Sequence, residues 1–447
     1  MTPDEAMQAA AAHFSAGRHD DAQAMAHAIL QAIPRHFYAL HLLATIAALR
    51  GQAEDAIDFS SRALAIDPGH AEALVNRGAA LRMANRFEEA LADYDRALRL
   101  APRFVAAHSN RGVALAALNR YPEAVESYTR ALELDPGHLR SRFNRGLAYL
   151  VQGDFEHAWA DHEARWGGSD TLGAARNFGV PQWTGREELQ GKTVLLHAEQ
   201  GLGDTIQFVR YLPLVLARGA RVVLEVHAAL VPLFQQFEGV HALVARGDAL
   251  PGIDLHCPLM SLPLAFGTRV ETIPAAIPYL RAPEDSVSAW RERLGERKAY
   301  RVGLAWSGST TLRNDRNRTL PFSQLASILV PGIEFVSVQK EVREPDRAAL
   351  GAAANVRHFG EALADFRDTA ALVSQLDLVI SVDTAVAHLA GAMGKPVWVL
   401  LPHAPDWRWM LEREDSPWYP SARLIRQPRT EDWASVMERV RGELAKR

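Results

Sequence analysis

Small and apolar residues recur along the first third of the chain at a fixed spacing of 34 positions. Ala22, Ala56, Ala90, Ala124 and Ala158 form one series, and Ala10, Ala44, Gly78, Gly112 and Gly146 another. Two further marks keep the same register: Gly17, Gly51, Asn85, Asn119 and Gly153, then Pro34, Pro68, Pro102 and Pro136. Helix-length amphipathic stretches between these marks predict an array of helical pairs. The small series lets two helices approach closely. Gly or Asn supplies the left-handed residue that ends each first helix, and proline stops each second one. From Trp166 to Gly191 the period fails and Gly, Ser, Asn, Pro and Trp accumulate, which predicts a connecting loop. Its tryptophans predict that it packs on a neighbour, because an exposed indole leaves a large apolar area in water.

Beyond Gly191, short β-branched or Leu-rich runs alternate with helix-length segments. The runs are 193–197, 221–225 and weaker ones near His241 and Asp254, then 301–306, 333–339, 356–359, 376–382 and 397–401. Strands alternating with helices predict parallel sheets covered on both faces. Ile277 to Pro283 reads as the crossing between two such halves. The expected division is an α solenoid over 1–166, a linker over 167–190, and two Rossmann-like halves over 191–283 and 284–447 facing a cleft. Ligands in such folds bind at the carboxyl ends of the strands.

Composition narrows the function classes. The 447 residues are 48% hydrophobic and carry 49 basic against 53 acidic side chains, a net charge of -4. No global positive field attracts nucleic acid, so none is expected as a partner. The single cysteine, Cys257, forms no internal disulfide and reads as a small buried apolar residue. The start, Met1-Thr2-Pro3-Asp4-Glu5, has neither region of a secretory signal, which predicts a cytoplasmic chain. No apolar run reaches the roughly 20 residues of a spanning helix, so no transmembrane segment is expected.

The first third resembles the tetratricopeptide repeat, whose marks are matched by Gly78, Asn85, Ala90, Tyr94, Ala97 and Pro102, and again by Gly112, Asn119, Ala124, Tyr128, Ala131 and Pro136. Four full repeats precede a decayed fifth, in which Arg165 stands where Ala97 and Ala131 stood. The resemblance implies a superhelix whose groove takes an extended peptide or partner helix. Asn76, Asn110 and Asn144 repeat in that groove, each followed by an arginine, Arg77, Arg111 and Arg145. Their amides form a ladder suited to a peptide main chain; equally, Asn is a common residue at this repeat position. Asp93-Tyr94-Asp95 has the form of a metal-binding D-x-D, but lies inside a repeat helix and reads as a solvated helix face.

Three segments of the α/β region carry chemistry. His197-Ala198-Glu199-Gln200-Gly201-Leu202-Gly203-Asp204 follows the first strand, and its glycines, Gly203 included, allow close backbone approach to a ligand. The spacing is not the dinucleotide fingerprint, so no nicotinamide cofactor is expected. Asp204 fits a helix cap and also a general base at the cleft. Trp306-Ser307-Gly308-Ser309-Thr310-Thr311, followed by Arg313, Arg316 and Arg318, fits phosphate binding, with a solvated basic loop as the rival reading. Gln339, at the end of the next strand, joins this donor-side set. The third segment is Ser381-Val382-Asp383-Thr384-Ala385-Val386-Ala387-His388. Thr384 and His388 share a helix face beside exposed amides, a geometry suited to a pyrophosphate and its sugar.

Together these segments resemble the GT-B glycosyltransferases of the bacterial heptosyltransferase family. Gly201 to Asp204 match its G-L-G-D motif, and Asp383 to His388 are close to its D-T-G-x-x-H motif, with Ala385 replacing the glycine. The strings around His197 to Asp204 and Pro405-Asp406-Trp407-Arg408-Trp409 look like bacterial proteins that fuse the repeats to such a domain. The resemblance implies an inverting displacement on a nucleotide diphosphate sugar with no metal or other cofactor. It casts Asp204 as general base, Arg318 at the donor phosphate, and Asp383, Thr384, Ala385 and His388 around the nucleotide sugar, with Ser307, Ser309 and Thr310 supporting the leaving group. Protein O-GlcNAc transferases share the combination of repeats and GT-B core, which points to a protein acceptor; the heptosyltransferase likeness points to a glycan. A catalytically inactive scaffold is the alternative. The first α/β half, about 95 residues from 190 to 285, is short, which leaves the acceptor pocket open.

Overall fold

The computed structural model describes the whole chain except Met1, Asp170, Thr171, Gly173, residues 310–314 and the side chain of Arg316. It forms two compact units, Met1–Tyr149 and Leu150–Arg447.

The first unit is built from antiparallel helix pairs: Pro3–Ser15 with His19–Ala32, Phe37–Leu49 with Ala53–Leu64, Ala71–Met83 with Phe87–Leu100, and Val105–Ala117 with Tyr121–Leu134. The turn marks behave as the spacing predicts, since Gly17, Gly51, Asn85 and Asn119 all adopt positive φ. The small marks make room for a ring. A Cβ on Gly112 would sit 2.5 Å from Tyr128 Cε1, and one on Gly78 2.6 Å from Tyr94 Cε1. Tyr128 is 2% exposed and has nowhere to retreat. The G112A variant should therefore lose about 1–3 kcal/mol to overpacking, despite the better helix propensity of alanine. Chemical denaturation of the full chain, read by helical circular dichroism, checks this.

The reading of Asp93-Tyr94-Asp95 as a solvated face needs correction. Arg77 donates to both carboxylate oxygens of Asp93 at 2.7 and 2.6 Å, and Asp93 is 5% exposed. Arg111 donates to Asp95 at 2.7 Å and to Ser127 at 2.7 Å. The two aspartates thus serve successive rungs of the arginine series. Each guanidinium ties its own helix to the helices packed on either side, which is why the Arg recurs with the repeat.

The unit boundary at Tyr149 falls inside the fifth pair, ahead of the expected end of the array at 166. The second helix of that pair, Phe155–His162, is shortened and packs on the α/β part. Trp159 Nε1 donates to the Thr268 carbonyl at 2.8 Å, and its ring meets that of Trp407 edge-on at 5.7 Å. Phe155 stacks on Trp418. Arg165, fully buried, donates to Glu199 at 2.9 Å, to Glu163 at 2.6 Å and to Ser261 at 2.7 Å. Burial disfavours both charges: it pushes the Glu199 carboxyl up to about 7, against the opposing pull of Arg165.

The α/β part holds two parallel sheets. In the first, β1 (Thr193–His197), β2 (Arg221–Val226), β3 (Val240–Ala245) and β4 (Leu255–Pro258) run in the order β3-β2-β1-β4. In the second, β5 (Tyr300–Ala305), β6 (Ile333–Ser337), β7 (Val356–His358), β8 (Leu378–Val382), β9 (Val397–Leu401) and β10 (Ala422–Arg426) run β10-β9-β8-β5-β6-β7. All of these pairings are parallel. The order reverses between β5 and β8, the point where doubly wound sheets bind ligands. The α solenoid and the two parallel sheets are those that the hydrophobic pattern predicts, and they are consistent with the GT-B-like fold that the resemblance implies.

Part of the expected linker is strand-like. Trp183 N donates to the His256 carbonyl at 2.7 Å, and His256 N to the Pro181 carbonyl at 3.1 Å, so 181–183 extends the first sheet beyond β4. Trp183 is fully buried, as a packed indole requires. Arg176 and Phe178 cover polar groups of the same sheet. Arg176 forms a bidentate pair with buried Glu225 at 2.5 and 2.9 Å, and Phe178 lies against His197 and His256. Burial pushes His197 down to about 3, with His256 and Arg176 adding to the effect.

Candidate functional site

The loops after β1, β5 and β8 converge, and the residues singled out in sequence meet there. Asp204 lies in the first turn of the helix Leu202–Phe208, where its Oδ2 accepts from Gly201 N at 2.8 Å. The same carboxylate pairs through Oδ1 with Arg408. Its capping role is therefore real, and its second oxygen is engaged as well.

Gly203 faces the helix Ala385–Ala392 from the second half. A Cβ there would lie 2.7 Å from His388 Cδ2 and 3.6 Å from Ala385 Cα. The glycine thus lets the two helices touch, and the close approach that its position predicted is filled by His388. Thr384 caps this helix by accepting from Val386 N at 3.3 Å, and its hydroxyl meets Ser381 Oγ at 3.1 Å.

His388 is 5% exposed, meets the Tyr419 hydroxyl through Nδ1 at 2.9 Å, and stacks on Trp409. Its Nε2 stands 3.7 Å from Asp383 Oδ1. Burial first, and then Arg408, Arg210 and Arg318, push its pKa well below the usual histidine value, so the ring is neutral. Asp383 moves the other way. Burial and the Asp406 charge raise its carboxyl to about 6, against Arg408 and Arg318.

Arg318 joins the loops of the second sheet. Its Nη1 donates to the Asp383 carbonyl at 2.8 Å, and its Nε to Asp315 at 3.3 Å. Gly308 makes room for it, because a Cβ at that position would lie 2.3 Å from Arg318 Nη2. Arg343 holds the same loop by donating to the Gly308 carbonyl at 2.8 Å and to Asp315 at 2.5 Å. Gln339 clamps the strand end: its amide donates to the Ser307 carbonyl at 3.0 Å and accepts from Trp306 N at 3.2 Å. Ser307 is 4% exposed and its hydroxyl has no hydrogen-bond partner among the described residues, an orphan donor at the mouth of β5. Ser309 is exposed. Thr310, Thr311 and Arg313 lie outside the described residues.

Two arginines were not assigned from sequence. Arg408, 7% exposed, donates to Gln207 at 2.5 Å, to Asp406 at 2.9 Å and to Asp204, with its guanidinium 4.6 Å from the centre of the Trp407 ring. Burial works against its charge, but Asp406, Asp204 and Asp383 outweigh it and raise its pKa. Arg210, 4% exposed, donates to the carbonyls of Gln207 and Trp418 at 2.8 Å each and to Tyr279 at 3.1 Å. Three rings, those of Tyr279, Trp418 and Tyr419, lie within 5.3 Å of its guanidinium. Among the described residues no carboxylate pairs with it. A usable signal was there: Phe208-Val209-Arg210-Tyr211-Leu212 is an apolar run interrupted by one charge. The site is therefore a junction of helix amino ends and strand carboxyl ends in which three guanidinium groups surround a neutral imidazole, Arg408 paired with Asp204 and Asp406 and Arg318 with Asp315.

In the first unit, Asn76, Asn110 and Asn144 stand half-buried on the helices Ala71–Met83, Val105–Ala117 and Leu139–Val151, in the repeating register that the spacing predicts. No helix among the described residues is long and apolar enough to cross a membrane.

Comparison with known proteins follows the same division. The tetratricopeptide repeat family matches residues 7–71, 61–103, 75–138 and 110–166. Glycosyltransferase family 9 (heptosyltransferase) matches residues 362–436, which include the Asp383 to His388 segment and Arg408. Protein FlbA of Caulobacter vibrioides is 31% identical over 320 residues, 65% of this chain and 52% of FlbA. The chain thus spans about half the length of this curated relative. Among solved structures, MamA is 24% identical and covers 35% of this chain and 91% of its own, with a TM-score of 0.33. A thermophilic TPR protein of Thermus thermophilus is 22% identical, covering 38% and 93%, with a TM-score of 0.32. The chain is thus similar to the tetratricopeptide repeat family over 7–166 and to glycosyltransferase family 9 (heptosyltransferase) over 362–436.

Proposed function

We propose that the chain is a cytoplasmic, inverting glycosyltransferase that moves a sugar from a nucleotide diphosphate sugar, without a metal ion or other cofactor, to a protein or glycan recruited by the repeats. The observation that carries the reading is the set of three guanidiniums, Arg210, Arg318 and Arg408, around His388 beside the reversal of strand order between β5 and β8. A diphosphate there is neutralised by fixed charge and by the amides at the start of Ala385–Ala392. The acceptor oxygen attacks the anomeric carbon as the bond to the diphosphate oxygen breaks, and Asp204 takes the acceptor proton. Because Arg408 holds Asp204 Oδ1, the donor must draw Arg408 onto its phosphate oxygens before that carboxylate is free to act.

A thermal-shift panel of nucleotide diphosphate sugars tests this, since a ligand that binds only the folded state raises its melting temperature. At least one donor should stabilise the chain. D204N should keep that shift, because Asn still accepts from Gly201 N, and should lose transfer to any acceptor by about 100-fold or more. A folded chain that responds to no donor defeats the proposal. The engaged Asp204 favours a second reading, a ligand-sensing scaffold without turnover, in which D204N behaves as the parent does.

A further inference from the structure

At the opposite end of the second sheet, β5, β8 and β9 begin around a cavity of about 390 Å³. Four cationic side chains line it, Arg291, Arg297, Arg301 and Lys395, against two carboxylates, Glu296 and Asp377. This place is separate from the crevice described above, whose residues follow the carboxyl ends of the same strands.

Three of the four cations have a carboxylate partner, Arg291 with Glu284, Arg297 with Asp377 and Arg301 with Glu334, and Lys395 has none among the described residues. Asp377 is already committed: it accepts from Arg301 N at 2.8 Å and pairs with Arg297. Glu334 accepts from Arg301 Nε and from Arg357 Nη1 at 2.9 Å each, so one carboxylate serves two guanidiniums. Arg301 is 3% exposed, and its Nη2 has no hydrogen-bond partner among the described residues. Lys395 donates to the Ser374 carbonyl at 2.8 Å, and among the described residues no carboxylate pairs with its ammonium. Burial pushes the Lys395 pKa below the usual lysine range, and Asp377 offsets this only in part. A cavity lined both by an ammonium without a carboxylate partner and by an arginine with an orphan donor suits an anion.

We propose that this cavity binds a phosphorylated small molecule of about mononucleotide size, held through its phosphate by Lys395, Arg297 and Arg301. A tetrahedral oxyanion offers three terminal oxygens to cations carried by separate segments, here β5 and the loops before β5 and β9, whereas a carboxylate offers two in one plane. The volume is too large for a lone phosphate and falls in the roughly 300–1,000 Å³ range of small-molecule sites.

Calorimetric titration of the full chain with AMP and with inorganic pyrophosphate tests the site. Saturable binding is expected for at least one of them, weakened tenfold or more by K395Q and by R297Q and unchanged by R439Q, a surface arginine outside both places. Arg297 is largely exposed, so R297Q carries the test if K395Q folds poorly. Failure of both probes to bind overturns the inference. So does binding that is indifferent to K395Q and R297Q.

Discussion

R165M should be among the most damaging single substitutions in the α/β part, lowering stability by about 3–5 kcal/mol. Methionine fills much of the guanidinium's volume but leaves the Glu199 side chain, 2% exposed, buried without its cation. Breaking a buried ion pair from one side costs that much because the remaining charge is stranded, while replacing both partners is far milder. The double variant R165M/E199Q should therefore recover more than half of the loss. Urea denaturation of the parent and the three variants measures the coupling directly. Equal destabilisation of the single and double variants would show that the guanidinium acts through its bonds to Glu163 and Ser261 instead.

The second large effect is pH-dependent and belongs to Asp383. Its carboxyl rises from an ordinary 3.8 to about 6 in the folded chain, chiefly through burial and then through the Asp406 charge. Well below pH 3.8 the group is protonated in both states and contributes nothing to the balance. As pH rises towards about 6, the unfolded chain ionises freely while the folded chain resists, so the folded state loses stability. With about 1.4 kcal/mol for each tenfold change in the acid's ionisation constant, the loss amounts to roughly 2–3 kcal/mol at neutral pH. D383N removes this contribution. Its stability relative to the parent should rise by that amount between about pH 4 and pH 7, and a flat difference across the range would refute the assignment.

What the sequence disclosed follows the range of the interactions. Nine of the ten described strands coincide with runs legible in the sequence, most of them rich in Val, Ile or Leu because they are buried along much of their length, although β4 and β7 hold one such residue each. The tenth, Ala422–Arg426, has only Leu424 and Ile425 between two arginines and lies at the sheet edge, so its apolar signal is too short to stand out. Asp204, Asp383, Thr384 and His388 were legible because each sits near the junction of a strand and a helix, where local pattern and site coincide. Arg408 was not, because its partners Asp204 and Gln207 lie about 200 positions away and no local periodicity records such a pairing. Gln339 was legible as a strand-end polar group, yet its amide grips the Ser307 backbone, a distinction that only the fold resolves. Arg165 stood out as a departure from the repeat. Its cause, a carboxylate on the loop after β1, lay beyond the reach of a repeat comparison.

The packing of the fifth repeat's second helix decides where this protein can be divided. A fragment begun at residue 167 or 191, where the repeat pattern stops, would strip Trp159 and Arg165 from the remainder, baring the Thr268 carbonyl, one edge of Trp407 and the acid of Glu199. Such a piece should precipitate or fold poorly even if every residue around His388 is present. A fragment begun at Leu150, where the second compact unit starts, retains the covering helix and should let the transferase-like region be studied by itself.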